Sequence, residues 1–204
     1  MSDDTYGLNV SRETHDRLDI YAALLRKWNP KINLVAPSTI ADLRSRHITD
    51  SAQLYNQAPT YFEHWVDLGS GGGFPGLVVA ILAYENGSRG KITLIESDAR
   101  KSAFLRTVLR ETGVDATVIT DRIENVTPQG ADVVSARALA HMIKLLDFTN
   151  RHLSPEGVAL LHKGRHWEKE LRDAQQTWQF TYSAVKSVVQ DNSVILNVAG
   201  VHRV

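Results

Sequence analysis

Apolar residues follow two different patterns along the chain, and the change falls near residue 60. Before it, apolar side chains recur at spacings of three and four, which predicts an amphipathic helix that ends at Asn29-Pro30. Ser38 or Thr39 is suited to cap a second helix, which we predict to run to about Gln57. The apolar stripe of the first helix consists of Leu18, Tyr21, Leu25 and Trp28. One face of the second helix carries His47, Asp50, Ser51 and Leu54.

From Phe62 onward, short apolar segments alternate with helical patterns, which is typical of a parallel sheet with helices on both faces. The predicted strands are Trp65–Leu68, Lys91–Glu96, Ala116–Thr120, Asp132–Ala136 and Val158–His162. The predicted helices are Gly76–Tyr84, Asp98–Glu111, Leu139–His152 and Trp167–Gln176. Thr181–Val204 predicts two further strands, joined near residues 190–193 as a hairpin at the edge of the sheet. We therefore expect an α/β fold, with a helical extension over residues 1–60 and one globular domain over residues 61–204.

The composition is that of an ordinary globular protein, and it excludes several kinds of site. Of the 204 residues 43% are hydrophobic and 23% are charged, so we expect disorder only within residues 1–10. No apolar run reaches the ~20 residues of a membrane helix, and the acidic start argues against a secretory signal. The chain has no cysteine, which rules out disulfides and a thiolate nucleophile, and we expect no metal site. These features favour a cytoplasmic monomer without a membrane partner.

The segment Asp67-Leu68-Gly69-Ser70-Gly71-Gly72-Gly73 lies where a predicted strand ends and a helix begins. Glycines allow positive φ and let a ligand approach the backbone closely, and the next helix offers free N–H groups. Glu96 ends the following predicted strand, where a carboxylate can accept hydrogen bonds from both hydroxyls of a ribose. The turn and this carboxylate together predict a nucleoside cofactor.

Two cofactors compete for this turn. The segment Gly71–Gly76 satisfies the G-x-G-x-x-G fingerprint of dinucleotides, which by itself is a weak signal. S-adenosylmethionine is favoured by Asp67, which precedes the first glycine by two positions and can meet a cationic aminoacyl group or its water shell. Pro75 removes a donor that a pyrophosphate would use, and about 60 residues precede the turn, whereas dinucleotide folds often begin with it. A turn that binds no ligand is the third possibility.

If the protein is a methyltransferase, the residue types that it contains limit which atom of a base it can methylate. Methylation at carbon 5 of a pyrimidine needs a cysteine nucleophile, and the chain has none. Exocyclic amines are commonly methylated by an Asn/Asp-Pro-Pro-aromatic motif, but here Asn29-Pro30 is followed by Lys31. N7 of guanine already carries an in-plane lone pair, so it needs only alignment with the donor, which can supply ~7–11 kcal/mol. The lack of a recognisable general base is consistent with N7 methylation without proving it.

A series of motifs in one order covers the chain from about Leu18 to Gly164. They are Trp28-Asn29-Pro30-Lys31-Ile32-Asn33-Leu34-Val35, His47-Ile48-Thr49-Asp50-Ser51, Asp67 to Gly76, Glu96-Ser97 with Lys101 and Phe104-Leu105, Arg122-Ile123-Glu124, Ser135-Ala136-Arg137-Ala138, and Lys163-Gly164. Together they resemble the bacterial small-subunit ribosomal RNA (guanine-N7) methyltransferase family, also called the glucose-inhibited division protein B family. After Trp178 the match is loose, and nothing is carried over.

The resemblance implies a seven-stranded, mostly parallel, Rossmann-like class I methyltransferase sheet that binds S-adenosylmethionine. The implied reaction is methyl transfer to N7 of guanine 527 of 16S rRNA in the small ribosomal subunit, whose loss gives low-level streptomycin resistance. Arg137 would face the methyl-transfer site. The cofactor contacts that the resemblance implies are Gly69, Gly71, Gly73 and Phe74, with Glu96 on the ribose and Ile123 and Glu124 beside the adenine.

Several of these residues have a second interpretation that concerns structure alone. Arg137 can cap a helix at the surface. His47 and Asp50 either form part of the target pocket or dock the N-terminal segment through a helix-face hydrogen bond. Asn33 either binds substrate or turns the connector between two helices. Trp28 completes the apolar stripe, which favours a place in the core over a role in base stacking.

Lys plus Arg equals Asp plus Glu, 23 against 23, so any RNA must be held by local basic patches. The candidates for phosphate contact are Arg44, Arg46, Arg100, Lys101, Lys163 and Arg165. Helix charges such as Lys101 are often simply solvated. Two rival functions remain open: a methyltransferase acting on another RNA, a small molecule or a protein, and a non-catalytic nucleotide-binding or RNA-binding module on the same fold.

Overall fold

The first helix, α1, spans Arg12–Ile32 in the computed structural model, which describes residues 8–204. Of the segment 1–10 predicted to be disordered, residues 1–7 therefore lie outside the described residues. Leu18, Tyr21 and Leu25 are fully buried, as their spacing predicts. α1 continues through Pro30, so it ends two residues beyond the predicted boundary.

Pro30 is tolerated because it lies in the last turn of α1, where its missing N–H removes a single helical hydrogen bond. The helix ends where Asn33 adopts the left-handed conformation, with φ 50°. The Asn33 backbone N–H donates to the carbonyl of Asn29, an arrangement that satisfies a helix end. The prediction that α1 ends near Asn29-Pro30 was therefore correct to within two or three residues.

The second predicted helix, from Ser38 or Thr39 to about Gln57, is not continuous. It consists of a 3₁₀ turn at Pro37–Thr39, a π-helical segment at Arg44–Thr49 and a short helix, α2, at Asp50–Tyr55. The π-helical segment is wider than an α-helix and is a common device at functional sites. Here it carries His47 towards the centre of the molecule.

Seven strands form one sheet in the order β3-β2-β1-β4-β5-β7-β6. Their bounds are β1 (His64–Leu68), β2 (Lys91–Ile95), β3 (Thr117–Ile119), β4 (Ala131–Arg137), β5 (Leu153–Lys163), β6 (Trp178–Lys186) and β7 (Val194–Arg203). Strands β1 to β5 pair in parallel, and β7 runs antiparallel between β5 and β6. The predicted seven-stranded, mostly parallel sheet is confirmed. Strand β1 lies between β2 and β4, so the strand order reverses there, and ligands gather at the carboxyl ends of strands beside such a point.

Four helices cross over between the strands. They are α3 (Gly76–Glu85), α4 (Ala99–Thr112), α5 (Met142–His152) and α6 (Trp167–Ala174). In α3 the first eight residues are all buried, because α1 and α2 cover the face that the sheet does not. Within residues 8–204 no helix combines the length and apolarity needed to span a membrane.

Apolar residues form two clusters, and neighbouring strand residues such as Trp65 and Val66 belong to opposite ones, so the clusters lie on the two faces of the sheet. The first cluster joins α1 and α2 to α3 and α4. The second joins α5 and α6 to the other face. Tyr21 of α1 packs within this shared core, with its ring centroid 5.2 Å from that of Phe74. The N-terminal segment is thus a structural layer of the domain.

Candidate active site

The glycine-rich turn follows β1 at the carboxyl edge of the sheet, beside the point where the strand order reverses. Gly69, Gly71 and Gly73 have φ of 65°, 53° and 92°, a region that L-residues with side chains rarely adopt. At Gly69 and Gly73 an added Cβ would also come within 2.5 Å of Leu139 and 2.3 Å of Leu77. At Gly71 the nearest atom would be 3.7 Å away, so the backbone there borders open space.

A cavity of about 530 Å³ lies over this turn, within the size range of small-ligand and cofactor sites. Four segments form its walls: the connector 34–36 after α1, the glycine-rich turn, the loop 121–124 after β3, and residues 137–139 at the end of β4. Side chains from the end of β2, the residue directly after it, α4 and α5 complete it, namely Ile95, Glu96, Lys101 and Phe148.

Glu96 presents a buried carboxylate at this wall, 7% exposed. Its Oε2 accepts a hydrogen bond from the Gly71 backbone N–H at 2.8 Å, and its Oε1 accepts one from the Asp98 backbone N–H, also at 2.8 Å. Each carboxylate oxygen can accept a second bond. Because the two backbone donors fix the orientation of the side chain, Glu96 is prepared to bind two neighbouring hydroxyl groups.

The loop after β3 supplies an apolar wall and an acidic rim. Ile123 is 7% exposed and lines the cavity. Glu124 also lines it, and its carboxylate accepts hydrogen bonds from the Arg122 guanidinium at 2.8 and 2.9 Å. The motif Arg122-Ile123-Glu124 therefore lies at the same cavity as the glycine-rich turn, although the two are far apart in the sequence.

Two predicted cofactor contacts lie behind the cavity wall. Asp67 is 1% exposed, and its Oδ1 accepts a hydrogen bond from the Ser135 hydroxyl at 2.7 Å. Gly73 is buried against Leu77, and its backbone N–H donates to the Ser70 carbonyl at 2.7 Å. Neither Asp67 nor Gly73 is among the residues that line the cavity, so their contact with a cofactor stays a prediction. Both positions shape the turn from beneath, because they belong to its hydrogen-bonded and packed base.

Arg137 ends β4 and reaches across the cavity towards the N-terminal segment. Its guanidinium lies over the Phe74 ring, with Cζ 5.5 Å from the ring centroid, and Nη1 is 3.4 Å from Asp50 Oδ2. Nη2 contacts His47 Nδ1. The side chain is 15% exposed, so the surface-arginine interpretation is wrong.

His47 takes part in the site and in the docking of the N-terminal segment at once. Its ring stacks on Phe74 at a centroid distance of 5.0 Å, and Nε2 lies 2.8 Å from the Thr39 hydroxyl. Burial, together with the nearby Arg137 charge, lowers the pKa of His47 to about 4. The neutral ring therefore accepts a hydrogen bond from Arg137 at neutral pH.

Asp50 joins three separate parts of the chain. Besides Arg137, its Oδ2 lies 3.4 Å from His162 Nε2 at the end of β5. Its Oδ1 accepts a hydrogen bond from the Ser187 hydroxyl at 2.9 Å, in the turn between β6 and β7. These partners lower the pKa of Asp50 although its burial acts in the opposite direction. The carboxylate is 5% exposed and stays ionised, as a buried partner for Arg137 must.

A second cavity, of about 290 Å³, adjoins the first. Arg137 and Ala138 line both cavities and so form the boundary between them. Most of the other residues that line the second cavity carry polar side chains, namely Arg46, Asp50, His162, Lys163, Gln190 and Ser193.

Other predicted site residues are placed as follows. Asn33 is exposed and closes α1, and it lines neither cavity, which favours its turn interpretation. Arg44 forms an ion pair with Asp19 at 2.9 Å, and Arg100 pairs with Asp98 at 3.0 Å. Both guanidiniums remain substantially exposed.

The other basic candidates divide between the cavities. Lys101 lines the first cavity, and Arg46 lines the second. Arg165 is exposed just after Gly164, which also lines the second cavity. Lys163 is 7% exposed and bonded inside the protein, and it also lines the second cavity, so its contact with phosphate stays a prediction.

Several site residues carried no sequence signal that identified them. His162 and Ser187 reach Asp50 only because β5 and the turn after β6 lie beside α2 in space. Leu139 and Phe148 read as ordinary helical apolar positions. Of the connector residues 34–36, Leu34 and Val35 belong to a recognised motif, which was the available hint that the connector forms part of a site.

Solved structures with the same fold define the class. A TehB-like SAM-dependent methyltransferase from Corynebacterium glutamicum superposes with a TM-score of 0.60, covering 90% of this chain and 99% of that one at 12% identity. A SAM-dependent methyltransferase from Aquifex aeolicus gives 0.59, covering 87% and 97% at 14% identity. With its strand order and glycine-lined cavity, the molecule has the class I architecture of S-adenosylmethionine-dependent methyltransferases.

Sequence relatives narrow the class to one family. The family model described as rRNA small subunit methyltransferase G matches residues 14–197. Proteins named Ribosomal RNA small subunit methyltransferase G are 52% identical in Ruegeria pomeroyi, over the whole of both chains, and 46% identical in Paracoccus denitrificans, over 95% of this chain and 98% of that one. The chain belongs to the rRNA small subunit methyltransferase G family.

Proposed function

We propose that this protein transfers a methyl group from S-adenosylmethionine to N7 of a guanine in 16S rRNA of the small ribosomal subunit, the position numbered 527 in bacteria. The observation that carries the proposal is the pair of adjoining cavities with Arg137 at their boundary. The first cavity has the features of a nucleoside site, and the second, of about 290 Å³, would receive the target base. A donor and an acceptor placed in them would meet at Arg137.

The residues of the first cavity fit the cofactor. Glu96, oriented by two backbone N–H groups, would accept hydrogen bonds from the two ribose hydroxyls. Ile123 would pack against the adenine, and Glu124 would lie beside it. Gly71 leaves the backbone accessible for the aminoacyl end, and Gly69 and Phe74 line the same cavity beside it.

The chemistry needs alignment more than proton transfer. When bound, the cofactor supplies an electrophilic methyl group on a sulfonium. N7 of guanine carries its own lone pair, so the protein has no proton to remove before attack, and holding the two atoms in line is its main task. We assign that task to Arg137, whose guanidinium is fixed by His47, Asp50 and the Phe74 ring.

The Asp50 carboxylate has an electrostatic role in this scheme. Methylation at N7 moves a positive charge onto the purine, next to the Arg137 guanidinium. Asp50, ionised and 3.4 Å from Arg137, offsets that charge within a poorly solvated site. His47, whose pKa is about 4, adds no further positive charge at neutral pH.

The target base has to reach this site from an RNA strand. N7 lies in the deep, narrow groove of an A-form helix, so the guanine must be in a loop or leave its stack. Arg46 and Arg165 lie beside the second cavity and Lys101 beside the first, where they can hold phosphates without reading sequence. We include Arg44 and Arg100 as outer members of this contact surface.

The decisive test compares ribosomal RNA from cells with and without the gene, by mapping 7-methylguanosine in 16S rRNA. We expect one N7-methylated guanine to disappear with the gene and to return with the wild-type copy. Purified Arg137→Ala should bind S-adenosylmethionine nearly as tightly as wild type and turn over about 10²-fold more slowly, the scale of a small misplacement of reacting groups.

Two outcomes would count against the proposal. An unchanged methylation map would favour the rival functions, a methyltransferase for another substrate or a binding module without activity. Equal turnover by wild type and Arg137→Ala would remove Arg137 from the site. Exposed Arg110→Ala, on the far side of α4 and paired with Glu111, serves as the matched control and should behave like wild type.

A further inference from the structure

The loop that separates the two cavities is fastened by side chains from β5 and α6. It joins β4 to α5 as residues 138–141. Lys163 Nζ donates to the Ala140 carbonyl oxygen at 3.1 Å, and Glu170 Oε2 accepts from the Met142 backbone N–H at 2.9 Å. Nζ and Oε2 are 2.5 Å apart, so a single ion pair holds both the end of the loop and the start of the helix.

This loop needs external support for two reasons. Ala138 has a left-handed φ of 51°, a conformation that is unfavourable for a residue with a Cβ. The residue before α5, His141, makes no capping hydrogen bond to the helix. Glu170 supplies from another helix the acceptor that a capping side chain ordinarily provides, and its negative charge complements the start of α5.

The same loop shapes both cavities. Ala138 and Leu139 line the first cavity, and Ala138 and Ala140 line the second. Leu139 packs so closely on the glycine-rich turn that a Cβ at Gly69 would come within 2.5 Å of it. A shift of the loop would therefore move the cofactor wall and the neighbouring target wall together.

We propose that Lys163 and Glu170 are positioning residues for methyl transfer, which act by holding loop 138–141 against the cofactor turn. Both side chains are largely enclosed, 7% and 18% exposed, and Lys163 also borders the second cavity, so the pair lies between the loop and the target side. The target-side part of the inference rests on the proposed function. The cofactor-side part rests on the loop geometry alone.

The first experiment measures cofactor affinity by calorimetry and the exchange rate of the Met142 amide by NMR. Lys163→Met and Glu170→Ala should each raise the Kd for S-adenosylmethionine about tenfold, equivalent to ~1.4 kcal/mol. The Met142 amide should exchange faster in both, and turnover should fall by more than the Kd rises. Lys169→Met is the control, because it breaks the exposed ion pair with Asp173, which also lies in α6. It should leave the Kd, the Met142 amide exchange rate and the turnover unchanged.

A charge exchange distinguishes a positioning device from an ordinary ion pair. In the double variant Lys163→Glu, Glu170→Lys the charges still attract. However, a carboxylate would now face the Ala140 carbonyl, and an ammonium would face the Met142 N–H. We expect this variant to remain as impaired as the single ones. Recovery of wild-type affinity by the exchange would overturn the proposal, as would wild-type affinity in both single variants.

Two further measurements keep the proposal testable and separate it from the proposed function. Should Glu170→Ala not fold, Glu170→Gln keeps an acceptor for Met142 without the charge and should show a smaller rise in Kd. Unchanged affinity and unchanged amide exchange there and in Lys163→Met would contradict the positioning role. A wild-type protein that binds S-adenosylmethionine yet methylates no rRNA would overturn the proposed function and leave the cofactor-side inference standing.

Discussion

Asp67 shows how a residue can matter to the cofactor turn without lining the cavity. Its carboxylate accepts a hydrogen bond from the Ser135 hydroxyl, which in turn accepts one from the Trp65 indole N–H at 2.9 Å. Burial raises the pKa of Asp67 from its ordinary 3.8 to about 6, although the Ser135 hydrogen bond favours the charged form. Between these two pH values the folded protein holds a proton that the unfolded chain has lost.

That difference predicts a pH-dependent stability. Because the pKa of Asp67 is raised on folding, its protonated carboxyl group contributes stability to the folded state below pH 3.8. This contribution is lost as the pH rises to about 6. Asp67→Asn keeps an acceptor for Ser135 and cannot ionise. Each unit of pKa shift corresponds to ~1.4 kcal/mol. We therefore expect the free energy of unfolding of Asp67→Asn, relative to that of wild type, to increase by up to about 3 kcal/mol between pH 4 and 6. Above pH 6 the difference should stay constant.

Urea unfolding at several pH values measures this difference. Other groups that titrate in the same range, such as His47 with its pKa of about 4, cancel in the comparison of the two proteins. Asp191→Asn, in the exposed turn after β6, controls for the loss of a surface charge. Parallel stability curves for Asp67→Asn and wild type would show that Asp67 is ionised in the folded state as readily as in the unfolded one.

At the scale of elements, α1 and the connector that follows it act as part of the cofactor site. The Tyr21 hydroxyl donates to the Gly72 carbonyl at 2.5 Å. Asn29 Oδ1 accepts from the backbone N–H groups of Leu34 and Val35, both at 2.8 Å, which fixes residues 34–36 along the cavity. The N-terminal helix therefore supports the glycine-rich turn directly.

Tyr21→Phe tests that support. It leaves the buried Gly72 carbonyl without its donor, a loss that costs ~1–3 kcal/mol. We expect lower thermal stability and a several-fold higher Kd for S-adenosylmethionine, since the turn becomes less well fixed. Tyr61→Phe removes a hydroxyl from a side chain that is 72% exposed and should match wild type in both measurements. A destabilised Tyr21→Phe variant with unchanged cofactor affinity would separate α1 from the site.

The sequence predicted elements well wherever one residue pattern decides them. The strands β1, β2 and β4 are short apolar runs bounded by turns, and their centres were correct. The start of α5 was placed at Leu139 and lies at Met142. Helix propensity cannot show this, because the boundary depends on Glu170, which is distant in sequence and meets Met142 only in the folded protein.

The residues of the candidate site also fall into two groups, those that local sequence rules predict and those that only contacts in the folded protein identify. Gly69, Gly71 and Glu96 follow from local rules about turns and strand ends, and the structure brings them together around one cavity. Arg137 was expected at a strand end, but its partners were left with two interpretations. Only the fold shows that His47 and Asp50 both dock the N-terminal segment and contact Arg137 beside the cavities, because their contacts cross from that segment to β4.

At the scale of the whole molecule, positive and negative charges balance, so the protein has no general attraction to a polyanion. Binding to RNA then depends on a few local contacts and on the shape of the folded substrate. We expect assembled small subunits, or their precursors, to be methylated much faster than short naked oligonucleotides of the same sequence. Equal rates on both substrates would contradict this expectation.

Salt dependence of binding gives a quantitative version of the same expectation. Each phosphate contact contributes about 0.7–0.9 to the slope of log K against log salt. Arg46→Ala and Lys101→Ala should each weaken RNA binding across sequences and reduce the slope by about 1. Arg110→Ala is the control away from both cavities and should leave the slope as it is. Unaltered slopes in the first two variants would place the RNA elsewhere.

The position of β7 has a consequence for the order in which the protein can fold during translation. This strand comes last in the chain, yet it lies inside the sheet, between β5 and β6. Until residues 194–203 have emerged during translation, β5 has an open edge and the turn that offers Ser187 to Asp50 has no fixed place. A chain that lacks these residues therefore cannot fix the Ser187 partner of Asp50, so we expect the buried Asp50 contacts to form only after the last strand is in place.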